Sequence, residues 1–138
     1  MSRVKSFAVL FLGSLSISII LLILSRIILS GDDHVVNTGF SFGLGNYVLA
    51  TTLSIISLCI IFHLIIVSTN FEKAVSLELI FIGGLSNLLE RLLYGGIVDY
   101  WNFIDLWYFN ISDLFISVGV FSYFFFNIYY FGNLRSKI

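Results

Sequence analysis

The sequence predicts an all-α membrane protein, four transmembrane helices in a single domain over residues 1–138, with a small strand-like extracytoplasmic cradle. Three observations predict it. The chain is 59% hydrophobic and 11% charged, with a mean hydropathy of +1.04, far less charge than a soluble surface of this size requires. Four apolar stretches, about 6–29, 47–68, 74–93 and 111–131, reach the roughly 20 residues that a helix needs to cross a bilayer core. No proline interrupts any of them.

Each stretch carries its own signals. Arg3 and Lys5 precede the first, which is longer than the apolar core of a typical leader and holds Arg26 near its end; it reads as a span rather than a cleaved signal. The following segment, 31–46, is rich in glycine and alternates Phe40 and Phe42 with small residues. It reads as a strand-like cradle in which Gly39 and Gly43 permit close approach of a peptide. The second stretch contains the single cysteine, Cys59, which excludes an intramolecular disulfide and a cysteine-based zinc site. Cys59 and His63 both read as packing residues, and His34 alone is no metal site. In the third, Gly83, Gly84, Asn87, Glu90 and Arg91 share one helical face by their spacings of three, four and seven, with the glycines admitting a neighbouring helix. Glu78, in the inner half, is expected to pair with Lys73 or to be protonated. The fourth stretch has a matching stripe of Asn110, Asp113 and Ser117, continued by Asn127. Between the last two, Trp101, Trp107 and Tyr108 read as an outer aromatic belt on a short surface helix.

Charge sets the expected orientation. Arg3, Lys5, Lys73, Arg135 and Lys137 fall at the termini and the second connection, which lie on one side of a four-span protein. The positive-inside bias places that side in the cytoplasm. Asp32, Asp33, Asp99 and Asp105 then lie outside. The net charge of −1 and the absence of a basic run offer nothing to nucleic acid.

Asp99 and Asp113 are the chemically suggestive pair. Taken singly, Asp113 suits the first turn of a helix, where the dipole favours a carboxylate, and Asp99 suits a loop. Together, two carboxylates sharing a proton divide acid and base duties. The ionised one deprotonates water while the neutral one supports the scissile carbonyl. Asp105 is an alternative acid in the same loop.

Four ordered segments resemble the lipoprotein signal peptidases (signal peptidase II), intramembrane aspartic proteases of bacteria. Asn37-Thr38-Gly39-Phe40-Ser41-Phe42-Gly43 is similar to the family's N-x-G-x-[AS]-[FW]-[GS]. The run from Gly83 through Asn87 to Glu90-Arg91 resembles G-G-x-x-G-N-x-x-D-R, and Gly95-Gly96-Ile97-Val98-Asp99-Tyr100 resembles G-x-V-x-D-F. Phe109-Asn110-Ile111-Ser112-Asp113, continuing to Gly119, resembles F-N-x-A-D-x-x-I-x-x-G. The chain departs from the family pattern at Leu22 and Arg26, where the family's first helix carries an acid and a lysine. It departs again at Ser86 for glycine, Glu90 for aspartate and Ser112 for alanine.

The resemblance implies an aspartic endopeptidase that removes signal peptides from lipid-modified prolipoproteins by cutting before the diacylglyceryl-cysteine. Asp99 and Asp113 would be catalytic, and Asn37, Gly39, Asn87, Arg91 and Asn110 would position substrate and carboxylates. Glu90 and Arg26 would support them, with Glu90 as a partner for Arg26. No metal and no cofactor is implied. The expected partners are prolipoprotein signal peptides and membrane lipids, and the expected state is a monomer. The expected location is the bacterial cytoplasmic (inner) membrane, multi-pass, with both termini cytoplasmic and the active site near the outer face. The sequence also admits two other readings: a non-catalytic lipopeptide-binding or membrane-assembly homologue, and a small transporter. The gathering of acids at one face argues against transport.

Overall fold

The structure, a computed structural model, describes residues 3–30, 34–39, 46–104 and 107–135. Four helices, α1 (Arg3–Leu29), α2 (Tyr47–Val67), α3 (Phe71–Tyr94) and α4 (Ile111–Arg135), form a bundle. Four three-residue strands lie at one end of it: β1 (Val35–Asn37), β2 (Ile97–Asp99), β3 (Trp101–Phe103) and β4 (Trp107–Phe109).

Three helices, α1, α2 and α4, are long and apolar enough to cross a membrane. The third, at 24 residues, is as long but carries Glu72, Lys73, Glu78, Glu90 and Arg91. Its position explains that composition. All three other helices pack on α3, so Glu90 and Arg91 are buried in protein and Glu72, Lys73 and Glu78 half-buried, while the apolar faces of its neighbours turn to lipid. Outward side chains such as Ile20, Ile27, Val48 and Phe121 are 63–77% exposed, as expected where the solvent is hydrocarbon rather than water.

Each interface on α3 has a distinct basis. On α1, Ser14, Ser18, Leu21 and Ser25 recur at spacings of four, three and four and are all buried. Ser14 donates to Glu78, and Ser18 Oγ donates to the Ile82 carbonyl at 3.1 Å. On α2, Leu58, Ile61, Phe62 and Ile65 meet Leu77 and Phe81 in the apolar core, with the Phe62 and Phe81 rings 5.8 Å apart. Against α4 the approach is closest. A Cβ at Gly83 would collide with the Ser112 carbonyl, and one at Gly119 would lie 2.7 Å from the Ser76 carbonyl; glycine at both positions lets the two backbones meet. At the other end of this pair, Lys73 Nζ donates to Asn127 Oδ1 at 2.5 Å and lies over the Tyr130 ring.

The strands close the end of the bundle where α3 stops and α4 begins. α3 stops at Gly95, whose φ of 77° is left-handed, a conformation that glycine adopts at no steric cost. The chain then reverses into β2, which pairs antiparallel with β1 in the register Val35↔Asp99, Val36↔Val98, Asn37↔Ile97. β3 and β4 form a second antiparallel pair with Trp101 opposite Phe109 and Phe103 opposite Trp107.

The expected strand-like cradle is therefore present in part, through β1 and β2; Phe40, Phe42 and Gly43 lie outside the described residues. Trp101, Trp107 and Tyr108 lie on the β3–β4 hairpin, not on a surface helix. Alternating Trp101-Asn102-Phe103 and Trp107-Tyr108-Phe109 suit the two-residue period of a strand. Further differences follow from helix register. Positions 58, 61, 62 and 65 of α2 face the core, so Cys59 and His63 point outward and are exposed, not packed. Glu78 takes its hydrogen bond from Ser14, and Lys73 turns to Asn127 instead.

Candidate active site

The site is built around the N-terminus of α4. Asn110 is its cap: Asn110 Oδ1 accepts the Asp113 N–H at 3.1 Å, and Asp113 Oδ2 accepts the Asn110 N–H at 3.2 Å. This reciprocal pairing is the capping-box geometry, and it accounts locally for the three-residue spacing. The remaining groups point elsewhere. Asp113 Oδ1 accepts from Asn87 Nδ2 on α3 at 2.9 Å. Asn110 Nδ2 donates to Asp99 Oδ1 at 3.1 Å and to Asn87 Oδ1 at 3.3 Å. A single fully buried amide thus stands between the acid at the end of β2 and the acid in the first turn of α4.

Asp99 is 4% exposed. Its Oδ2 accepts from Asn37 Nδ2 at 3.5 Å, and Asn37 is oriented by an Asx turn in which the Gly39 N–H donates to Asn37 Oδ1 at 3.0 Å. Burial, and next the charge of Asp113, push the Asp99 carboxyl up from the usual carboxylate range to about 7. The Asn37 and Asn110 hydrogen bonds only partly offset this. A carboxyl with that value holds a proton close to neutral pH.

Arg91 joins the walls. Its Nη2 donates to the Gly39 carbonyl at 2.8 Å, and its Nη1 donates to Ser54 Oγ on α2 at 3.4 Å. Tyr47 in turn donates to the Arg91 carbonyl at 3.1 Å. The guanidinium therefore fixes the segment after β1 to the bundle and hydrogen-bonds neither aspartate. Glu90, fully buried, accepts from Ser25 Oγ at 2.6 Å and from the Val98 N–H at 2.8 Å.

A cavity of about 670 Å³ opens beside these groups. Asn37, Asn87, Arg91, Asp99 and Asp113 line its polar end. Leu53, Leu58, Ile61, Ile80, Leu114 and Ile116 line the rest, with the hairpin residues Phe103, Trp107 and Tyr108. Among the described residues no group of three or more His, Cys, Asp or Glu is arranged to hold a metal ion.

Asn37, Gly39, Asn87, Arg91, Asp99, Asn110 and Asp113 thus come together as one connected set. Arg26 does not join it. It is exposed, with its guanidinium 5.8 Å from the Tyr94 ring centroid, because the face of α1 that meets α3 runs through positions 14, 18, 21 and 25. The expected Arg26–Glu90 pairing is replaced by a Ser25–Glu90 hydrogen bond. Asp105, the alternative acid, lies outside the described residues. Sequence reasoning missed Ser25, although the serines of α1 mark its buried stripe. It also missed a role for Tyr100, whose hydroxyl accepts the Ile111 N–H at 3.1 Å and whose signal was its place at the end of the G-x-V-x-D-F-like segment.

Fold and site together define a polytopic membrane protein with two acids held at one end of a helical bundle. The comparisons give this class a family. Residues 33–129 match the profile described as signal peptidase (SPase) II, and the chain belongs to that family. The lipoprotein signal peptidase of Fusobacterium nucleatum is 33% identical over 96 residues, covering 63% of this chain and 57% of that protein. That of Borreliella afzelii is 35% identical over 103 residues, covering 63% and 61%. The chain spans roughly half to three-fifths of the length of such curated relatives. A solved bacterial membrane enzyme, determined by the in meso method, shares the fold with a TM-score of 0.79 over 91% of each chain at 23% identity.

Proposed function

We propose that this chain is an aspartic endopeptidase that cuts the signal peptide from lipid-modified prolipoproteins, just before the diacylglyceryl-cysteine. The observation that carries the proposal is the Asn110 side chain bridging Asp99 and, through the cap, Asp113 on the wall of one cavity. Asp99, raised to about 7, holds the shared proton. Asp113 receives hydrogen bonds from Asn87 and the Asn110 backbone and serves as the ionised partner.

In the first step Asp113 takes a proton from a water molecule, whose oxygen adds to the scissile carbonyl carbon. Asp99 passes its proton to the carbonyl oxygen, giving a neutral tetrahedral diol. In the second step Asp113 returns its proton to the leaving amide nitrogen as the C–N bond breaks. One diol hydroxyl then restores the proton to Asp99 as the new carboxyl forms. Asn37, Asn87 and Asn110 hold the two acids in place throughout, which is where an enzyme without metal or covalent intermediate gains its rate. The apolar remainder of the cavity suits the acyl chains and apolar segment of such a substrate.

The termini are assigned to the cytoplasm and the acid pair to the outer face on the basis of the lysine and arginine distribution. The test is cleavage of a diacylglyceryl-modified prolipopeptide by the full chain and by Asp99→Asn and Asp113→Asn. Each variant is expected to insert normally and to lose at least ~10³-fold in rate. Cleavage at the native rate by either one overturns the mechanism.

A further inference from the structure

We propose that Ser25 is a positioning residue for Asp99: its hydroxyl fixes Glu90, and Glu90 fixes the backbone of β2. The inference rests on the peptidase reading of Asp99 and Asp113 and extends it to a helix that does not touch the cavity. No described residue of α1 lines the cavity; its walls come from β1, β2, α2, α3, the β3–β4 hairpin and α4. Any influence of α1 on the reaction must pass through another group.

The route is short and buried at every step. Ser25 is 2% exposed, and Glu90 and Val98 are 0% exposed. The two Glu90 oxygens are used once each, by Ser25 Oγ at 2.6 Å and by the Val98 N–H at 2.8 Å. Val98 directly precedes Asp99, so the carboxylate of Glu90 anchors one side of the catalytic residue to α3. Tyr100 anchors the other side, with its N–H on the Phe109 carbonyl at 3.3 Å and its hydroxyl on the Ile111 N–H at 3.1 Å. Asp99 is thereby held between a bracket to α3 and a bracket to the start of α4.

Removing the Ser25 hydroxyl leaves a carboxylate oxygen of Glu90 buried without that donor, which favours reorientation of the side chain. The Val98 amide then loses a fixed acceptor, and the end of β2 moves relative to Asp113. A shift well below 1 Å suffices to slow a reaction that depends on placed groups. The groups acting on Asp99 from the surrounding elements are Asp113 on α4, Glu90 and Arg91 on α3, and Tyr100 on its own segment. Loosening β2 admits water to Asp99 and separates it from Asp113. Both changes lower its titration midpoint.

The experiment compares the full chain in lipid nanodiscs with Ser25→Ala and Ser25→Thr. The readouts are steady-state cleavage of a diacylglyceryl-modified prolipopeptide, carboxyl carbon NMR titration of Asp99, and hydrogen exchange at the Val98 amide. S25A is expected to lower kcat about tenfold with KM within about twofold. It should also lower the Asp99 midpoint by at least about half a unit and speed exchange at Val98. S25T, which keeps the donor, is expected to recover most of the rate and the native midpoint. Native kcat with an unmoved midpoint in S25A overturns the proposal, as does an S25T protein as slow as S25A. Slower turnover with unmoved midpoint and exchange assigns Ser25 to general stability and overturns it too. Should S25A not fold, Ser25→Cys, whose thiol is a weak donor, is read against the same criteria. A native chain that cleaves no prolipopeptide would remove the peptidase reading, while the titration and exchange measurements still decide whether Ser25 positions Asp99.

Discussion

Replacing Asn110 with serine separates two roles that one buried side chain combines. Asn110 Oδ1 caps α4 by accepting the Asp113 N–H, and Asn110 Nδ2 donates to Asp99 and Asn87. Serine caps a helix about as well as asparagine, but its one oxygen cannot also bridge to Asp99. The lost hydrogen bond to a carboxyl group is worth roughly 1–3 kcal/mol, depending on how much charge that carboxyl carries. If the bond is made in the transition state, this corresponds to a roughly 5- to 150-fold loss in kcat. Alanine removes the cap as well, with a further loss of about 1 kcal/mol of stability. The assay is prolipopeptide cleavage by the full chain in nanodiscs, with thermal unfolding of each variant. Asn110→Ser and Asn110→Ala are expected to slow by similar factors, while only the alanine variant melts several degrees early. A serine variant cleaving at the native rate would refute the bridging role. A serine variant as slow and as unstable as alanine would trace the whole loss to the cap.

Two other predictions concern protons and packing. Because the Asp99 midpoint is raised to about 7 from an ordinary 3.8, the folded state holds that proton more tightly than the unfolded chain. The stability it contributes is complete below about pH 4 and is lost as pH rises through 7. Cleavage should therefore fall above pH 7, and Asp99→Asn should raise the melting temperature more at pH 8 than at pH 5; equal gains at the two pH values would count against the raised midpoint. Ser112 Oγ is buried with no hydrogen-bond partner among the described residues, at a place where the family pattern has alanine. Ser112→Ala is expected to raise stability by about 1 kcal/mol, read as a higher melting temperature in detergent, and a lower one would show that the hydroxyl is satisfied.

What was legible in the sequence follows the range of the interactions involved. Helix lengths are written in runs of apolar residues, and the crowded role of α3 is written in Gly83, Asn87, Glu90 and Arg91 recurring on one face. The Asn110–Asp113 pairing is also local, a cap and its third residue. The strands are another matter. Val35 pairs with Asp99 across more than sixty residues, and a three-residue strand is too short for its own periodicity to declare it. Register within α1 is hard to read for a related reason. The likeness of Arg26 to the family's lysine suggests an inward side chain, whereas Ser14, Ser18 and Ser25 mark the buried stripe one position away. Likewise the core stripe of α2 at 58, 61, 62 and 65 leaves Cys59 and His63 facing out, a conclusion available only once α3 is known to be its neighbour.

Two of the departures from the family pattern, at Arg26 and Glu90, are linked by physics. An ion pair between a basic residue on α1 and an acid on α3 would require two charges to be stripped of water inside the bundle, a penalty that attraction only partly repays. Here one acid is buried and held by two neutral donors, a hydroxyl and an amide. The arginine remains exposed, with its guanidinium 5.8 Å from the Tyr94 ring centroid, within cation–π range. The extra methylene of Glu90 lengthens the reach between α3 and those donors. The remaining contacts of the α1 seam are of the same kind, Ser14 to Glu78 and Ser18 to the Ile82 carbonyl. Since hydrocarbon provides no hydrophobic drive between helices, such hydroxyl contacts and close packing are what dock α1 on α3. The Ser25–Glu90 contact is also the one that reaches β2. On the proposed positioning role, α1 acts on Asp99 through Glu90, without any described α1 side chain entering the cavity.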